Sequence, residues 1–338
     1  MRKGLNPHKD KPQEQSEFVH QIIIPVYIPN QEEYFKDSFR ILQICLESLF
    51  KTVHKKTFIS VINNGSCNEV KEYLDGLFIS KKIHEVIHTT NIGKLNSIVK
   101  GLVGNNIELV TIADSDVFFL ENWQQQTVKT FNAFPKTGVV GIVPQLRNFS
   151  HLCGNLIFEN LFSKKLKFTE VTNPEALKRF FRSIWGEDSY NPAHLKWNLT
   201  IENDKNIAVV GSGHFVATYR KAIFNETKTY FGYKMGVDTE QYLDEIPLKK
   251  GLWRLTTNDN YAYHMGNAFE DWMQESLDKI TAADSKSETL LEVPEVKDIS
   301  KMHYFIKNKL FIKFFNKKHL RRIFYKMKGL PKDEINKY

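Results

Sequence analysis

Two aspartates, Asp114 and Asp116, close the apolar run Ile107-Glu-Leu-Val-Thr-Ile112 in the tetrad Ala113-Asp-Ser-Asp116. An apolar run stopped abruptly by two carboxylates reads as a buried strand delivering acids to its carboxyl end. On an extended segment, side chains at i and i+2 point to the same side. Two carboxylates so placed repel each other unless a cation or a shared proton intervenes. A hard divalent ion that prefers oxygen ligands resolves the conflict. The bland alternative is a solvated turn after a strand, where Asp and Ser are common.

Such a pair needs a sheet to hold it. Gln21-Ile-Ile-Ile-Pro25 is a short β run stopped by proline, and Asp37 to Phe50 carries apolar residues at helical spacing. Phe58 to Ile62 is a second strand, closed by the turn residues Asn63-Asn-Gly-Ser66. Glu69 to Phe78 reads as a helix, His84 to His88 as a strand, Ser97 to Val103 as a helix, and Ile107 to Ile112 as the strand that ends in the aspartates. This alternation with short connections predicts a parallel sheet with helices on both faces. In such sheets ligands sit beyond the carboxyl ends of the strands, so the turns after Ile24, Ile62 and Ile112 should line one site. Later strands are expected at Gly138–Val143, Ile207–Val210, His214–Thr218, Leu252–Leu255 and Tyr261–His264, with a helix over Pro174–Ser183.

At 338 residues with 41% hydrophobic and 25% charged content, the chain can bury a sizeable core. Three scattered cysteines, Cys45, Cys67 and Cys153, make neither a disulfide framework nor a paired metal motif, which points to a reducing compartment. The first twenty residues lack the apolar region of a secretory signal, and no apolar stretch approaches membrane-spanning length. The net charge of +8 resembles a nucleic-acid signal until it is located. Residues 301–328 hold ten Lys or Arg and no Asp or Glu, and removing those ten charges leaves the rest of the chain at −2. A near-neutral body argues against a nucleic-acid partner.

The order of these pieces resembles the inverting family 2 glycosyltransferases, whose nucleotide-sugar-binding fold is called GT-A. Ile22-Ile-Ile-Pro-Val-Tyr27 is similar to that family's first strand and donor-contacting turn, and Ile62-Asn-Asn-Gly-Ser66 to its second strand and base-reading turn. Asn91-Ile-Gly-Lys94 resembles the loop over the nucleotide, and Asp114-Ser-Asp116 the D-x-D. Gly211-Ser-Gly-His-Phe215 resembles the start of the acceptor side, Val237-Asp-Thr-Glu240 the acidic motif with the catalytic base, and Tyr263-His-Met-Gly266 the late strand with a metal-binding histidine.

The resemblance implies an α/β fold of GT-A type: a mixed, mainly parallel sheet flanked by helices, plus a C-terminal basic helical segment. It implies a catalytic domain over 21–284, with a donor half to about 120 and an acceptor half from about 121, after a polar stretch over 1–20 that reads as flexible. A linker at 285–300 and the tail at 301–338 complete the expected order. It further implies a nucleotide-diphosphate sugar held by Pro25, Val26, Tyr27, Asn63, Asn91, Gly93, Lys94, Asp114 and Ser115. The family usually has Asp where Asn63 stands; an Asn carbonyl can still accept from the ring N–H of uracil, which keeps UDP as the expected donor. Mn2+ or Mg2+ would sit on Asp116 and His264, with Asp114 on the ribose or on the metal through water. Either Asp238 or Glu240 would take the acceptor's proton. Gly211, Gly213, His214 and Trp253 would face a glycan or lipid-linked acceptor of cell-surface polysaccharide synthesis.

In the basic tail, Tyr304, Leu310, Phe311, Phe314 and Phe315 share one helical face, whereas Leu320, Ile323, Phe324 and Met327 lie on another. Two short amphipathic helices with a break near Asn316 fit this pattern. They read as an anchor on an anionic membrane surface, which would make the protein peripheral at the cytoplasmic, inner face of a bacterial membrane. Packing of the pair on the catalytic domain is the competing expectation. The rival functions are a nucleotidyltransferase, although Pro25 to Pro29 is no glycine-rich phosphate loop, and a nucleic-acid-binding protein acting through the tail.

Overall fold

Apolar strands His20–Val26 (β1), Thr57–Asn64 (β2), Glu85–Thr89 (β3) and Leu109–Ala113 (β4) pair in parallel in the computed structural model, in the order β3-β2-β1-β4. The structure describes residues 4–12, 14, 16–186, 189–203, 205–236, 240–281 and 291–338. Among the expected features, Asp238, residues 285–290 of the linker and residues 1–3, 13 and 15 of the N-terminal stretch lie outside these. Helices Ser38–Thr52 (α1), Asn68–Ile79 (α2) and Lys94–Leu102 (α3) connect the four strands. Alternation along β1 places Ile22, Ile24 and Val26 among the side chains of α1 and α2, and Ile23 among those of α3 on the opposite face. Both faces of β1 are therefore covered, which is why it is apolar at consecutive positions.

The chain then adds Val117–Phe119 (β5), Trp123–Ala133 (α4), Thr137–Gly141 (β6), Gly154–Glu159 (α5), Leu166–Glu170 (β7), Pro174–Trp185 (α6), Trp197–Glu202 (β8), Ile207–Val210 (β9) and Val216–Arg220 (β10). Gln241–Lys249 (α7), Trp253–Thr257 (β11), Ala262–His264 (β12) and Asp271–Lys279 (α8) complete the body. The ten-stranded sheet runs β3-β2-β1-β4-β10-β6-β11-β9-β8-β7, and β5 pairs with β12 in a separate ribbon. The mixed α/β sheet expected from the sequence is present. Its parallel ladders are those among β1 to β4 and between β6 and β11, while β10 runs antiparallel to β4 and β6, and β7, β8 and β9 form an antiparallel meander.

The basic tail is helical from Lys301 to Phe315, with a π-helical stretch at Ile306–Leu310, and again over Lys318–Met327. Its inner residues Phe315, Phe324, Tyr325 and Tyr338 are buried with Phe149 and Phe168. The Tyr338 hydroxyl donates to the Trp197 carbonyl at 2.7 Å. Lys307 Nζ also reaches Glu159 at 2.6 Å, so the tail is stapled to α5.

Candidate functional site

The carboxyl ends of β1, β2 and β4 open into one cleft of about 450 Å³. Pro25, Val26, Tyr27, Asn91, Lys94, Asp114, Ser115 and Asp116 all line it, so the structure gathers most of the donor set read from the sequence. Sequence reading missed Tyr34, Phe35 and Ser38 at the entry to α1, Lys234 and Met235 before α7, and Gly266-Asn267 after β12.

Ser115 separates two aspartates with different partners. Lys94 Nζ straddles the Asp114 carboxylate, 2.7 Å from Oδ1 and 3.0 Å from Oδ2. His264 Nε2 lies 3.3 Å from Asp116 Oδ2, while its Nδ1 meets the Ser183 hydroxyl at 3.0 Å. The β5–β12 ribbon brings Asp116 and His264 together, because Val117 is paired with His264 and the Met265 amide donates to the Asp116 carbonyl at 2.8 Å. Burial, reinforced by the charge of Asp114, pushes the Asp116 carboxyl up to about 6 against the opposing pull of His264.

The fit of a divalent ion can be judged from these atoms. Asp116 Oδ1 is buried with no hydrogen-bond partner, an arrangement that is costly unless a cation or donor arrives. The threefold set of Asp114, Asp116 and His264 is not assembled, however, because Lys94 takes up Asp114. Among the described residues no group of three His, Cys, Asp or Glu side chains is placed to hold a metal by itself. Asp116 and His264 suit an ion that draws its remaining ligands from diphosphate oxygens and water, as hard cations at nucleotide sites do.

Lys94 also lies 3.0 Å from Glu240 Oε1. Burial opposes its charge, but the two carboxylates outweigh that and raise its pKa. The other Glu240 oxygen faces His214 Nε2 at 3.4 Å, and His214 Nδ1 meets Asp244 Oδ2 at 3.0 Å. Asp244 Oδ1 in turn receives Arg254 Nη2 at 2.5 Å. The bond to His214 and, beyond the opposing effect of burial, the charge of Lys94 hold the Glu240 carboxyl down to about 2. Burial would lower the His214 pKa, yet Asp244 and Glu240 bring it up to about 9. Asp244 and Arg254 were not read from the sequence. An arginine inside the strand Leu252 to Leu255 was the available signal, since a buried guanidinium requires a buried partner.

Several expected residues stand elsewhere. Asn63 does not line the cleft: its Nδ2 pairs with His88 Nδ1 at 2.9 Å and its Oδ1 accepts the Ser66 amide at 2.9 Å. Strand alternation turns Asn64 into the cleft instead, with its Oδ1 accepting the Ile92 amide at 2.8 Å. Gly93, at φ 91°, lets the Asn91–Lys94 loop pass against Tyr233 and Lys234, where a Cβ would fall 2.8 Å from the Lys234 Cα. The space beside Gly211 and Gly213 is filled by Asn148 and Gln145 rather than open to an acceptor. Trp253 begins β11, paired with Thr137 at the start of β6, so it lies at the end of the strands opposite the cleft. Its indole N–H is held by Glu159 at 2.7 Å.

Residues 22–174 match the family described as Glycosyl transferase family 2, and the resemblance carried by the sequence motifs is borne out over that segment. No curated protein matches the chain. Among solved structures, S. aureus TarS 1-349 in complex with UDP-GlcNAc is similar at 14% identity and TM-score 0.46, over 95% of this chain and 78% of that one. S. aureus TarS 1-349 alone is similar at 12% identity and TM-score 0.44, over 73% of this chain. The mannosyltransferase PcManGT from Pyrobaculum calidifontis, in complex with GDP-Man and Mn2+, is similar at 13% identity and TM-score 0.41, over 74% of this chain. In these last two alignments the chain spans 60% and 59% of the matched chains, less than two thirds of their length.

Proposed function

We propose, from a chain whose residues 22–174 match glycosyl transferase family 2, a metal-dependent inverting transfer of a sugar from a nucleotide-diphosphate donor, UDP in the first instance. The acceptor in this reading is a glycan or a lipid-linked glycan of cell-surface polysaccharide synthesis. The observation that carries the reading is the partnerless, buried Asp116 Oδ1 of the cleft wall, in a carboxylate that also meets His264.

Asp116 and His264 would hold Mn2+ or Mg2+, which as a Lewis acid neutralises charge developing on the leaving diphosphate. Lys94 supplies a second positive charge at the same place. Tyr27 and Asn64 wall the cleft where the nucleoside would lie, with Asn64 in the position the sequence gave to Asn63. Both oxygens of Glu240 are engaged and its carboxyl is held acidic, which makes it a poor acceptor of a proton near neutrality. We therefore assign the base to Asp238 and a positioning role to Glu240. Replacing Asp116 with Asn should abolish sugar transfer; retention of full turnover in the presence of Mn2+ would overturn the reading. Release of nucleoside diphosphate supports glycosyl transfer, whereas release of pyrophosphate indicates a nucleotidyltransferase.

The proposal includes a peripheral position at the inner face of a membrane. The tail spends its inner face on the body, yet Met302, Phe305, Leu320, Ile323 and Met327 remain exposed among the basic residues, and Phe162 beside Met327 is 88% exposed. Among the described residues no helix is long and apolar enough to cross a membrane. Flotation of the full chain with anionic vesicles but not neutral ones is the expected result; flotation with neither would sink this part.

A further inference from the structure

Six ionisable side chains from separate parts of the fold stand in single file with alternating charge. Arg254 of β11 meets Asp244 of α7 at 2.5 Å, and Asp244 meets His214 of the turn before β10 at 3.0 Å. His214 faces Glu240 at 3.4 Å, Glu240 faces Lys94 at 3.0 Å, and Lys94 faces Asp114 at 2.7 Å. The far end is sealed: Arg254 is 2% exposed and Asp244 5%. Arg254 is held in turn by the carbonyls of His151, at 3.0 Å, and Ser212. The near end opens into the cleft.

We propose that Asp244 and His214 are positioning residues for the donor diphosphate, acting through Glu240 on Lys94. A lysine lying between two carboxylates can surrender one and keep the other. When a diphosphate enters, Lys94 turns from Asp114 to the phosphate oxygens while Glu240 retains its hold on the ammonium. Asp114 is thereby released at the moment the ion and nucleotide arrive. Glu240 can serve as the fixed post only if its second oxygen is anchored, and that anchor is His214. The imidazole in turn is oriented by Asp244, whose other oxygen is locked by Arg254. A histidine oriented by a carboxylate on one nitrogen presents the other in a fixed direction.

The inference rests on the donor reading only in naming a diphosphate as the group Lys94 turns to. Its test is a double-mutant cycle on UDP affinity, measured by calorimetry without an acceptor, using His214→Leu and Lys94→Met. His214→Leu leaves the buried Arg254–Asp244 pair intact, and Glu240→Gln serves as the second variant if it fails to fold. Each single change should weaken UDP binding about tenfold, the size of one charge-assisted hydrogen bond. The His214→Leu effect should vanish in the Lys94→Met background, because both changes break one file. Additive losses, or unchanged affinity in His214→Leu, would overturn the proposal. A second readout needs no nucleotide: amine-reactive labelling at Lys94, followed by mass spectrometry, should rise severalfold in His214→Leu, and an unchanged rate would overturn it as well. If wild-type protein binds no UDP while labelling at Lys94 still rises, the donor reading fails and the file stands.

Discussion

The two ends of the central strands each carry a cluster of charge, and the clusters serve opposite purposes. At the end away from the cleft, the Glu159 carboxylate meets Lys136 and Lys307 at 2.6 Å each and the Trp253 indole at 2.7 Å. These donors overcome the penalty of burial and hold its pKa below the ordinary carboxylate value. At the cleft end Lys94 is divided between two acids and Asp116 Oδ1 has no partner. A satisfied cluster ties elements together; one with an open valence can take a ligand. The distinction lies in the count of unmet lone pairs rather than in the number of charges.

Substitutions can break each cluster without touching the other. The largest effect should come from Asp116→Asn, which lowers release of nucleoside diphosphate by about a hundredfold or more and leaves the melting temperature nearly unchanged. Removal of divalent ions with EDTA should silence transfer to a similar extent, with recovery on adding Mn2+ or Mg2+; activity persisting in EDTA would count against an ion on Asp116 and His264. Glu159→Gln should do the reverse, keeping transfer intact while removing about 2 kcal/mol of stability, read as a lower melting temperature and faster proteolysis in the tail.

The smallest effect concerns pH. His214 is faced by Asp244 and Glu240, with His151 and Arg254 close behind, and stands near 9 instead of its ordinary 6.5 because the acids outweigh burial. Its stabilising contribution is complete below pH 6.5 and disappears as pH rises through about 9. Glu240, drawn from 4.5 to about 2, contributes fully above pH 4.5 and loses that contribution as pH falls through about 2. The gap in melting temperature between wild type and His214→Leu should therefore be widest from pH 4.5 to 6.5 and narrow by about 2 °C toward pH 9. A gap that stays constant across this range would mean that His214 is not charged in the fold.

The parallel strands were legible because burial on both faces makes them apolar without interruption, and turn residues end them sharply. Beyond Asp116 the signals weaken. β5 is only three residues long, the strands β7 and β8 mix Thr, Asn, Lys and Glu with apolar residues, and α7 contains Pro247. Asp114 and Asp116 were legible from their spacing, but the side chains that pair with them were not. Lys94 is twenty positions from Asp114, and Glu240 reaches it only through the fold. Asn64, not Asn63, lines the cleft, and on a strand that one position is the whole difference between two faces. Trp253 stands apart for another reason: a large aromatic at the start of a strand satisfies a half-buried glutamate as readily as it stacks on a sugar.

The small ribbon of β5 and β12 acts as a ruler. Asp116 and His264 lie far apart in the chain, yet their backbones are spaced by the Val117 to His264 pairing and by one further peptide hydrogen bond. The gauge of the gap they frame is thus set in peptide units, which side-chain substitution nearby leaves alone. Inserting one residue between Asp116 and Phe119 would change that gauge by a full step and turn Asp116 to the other side of the ribbon from His264, a lesion that no choice of ion could repair.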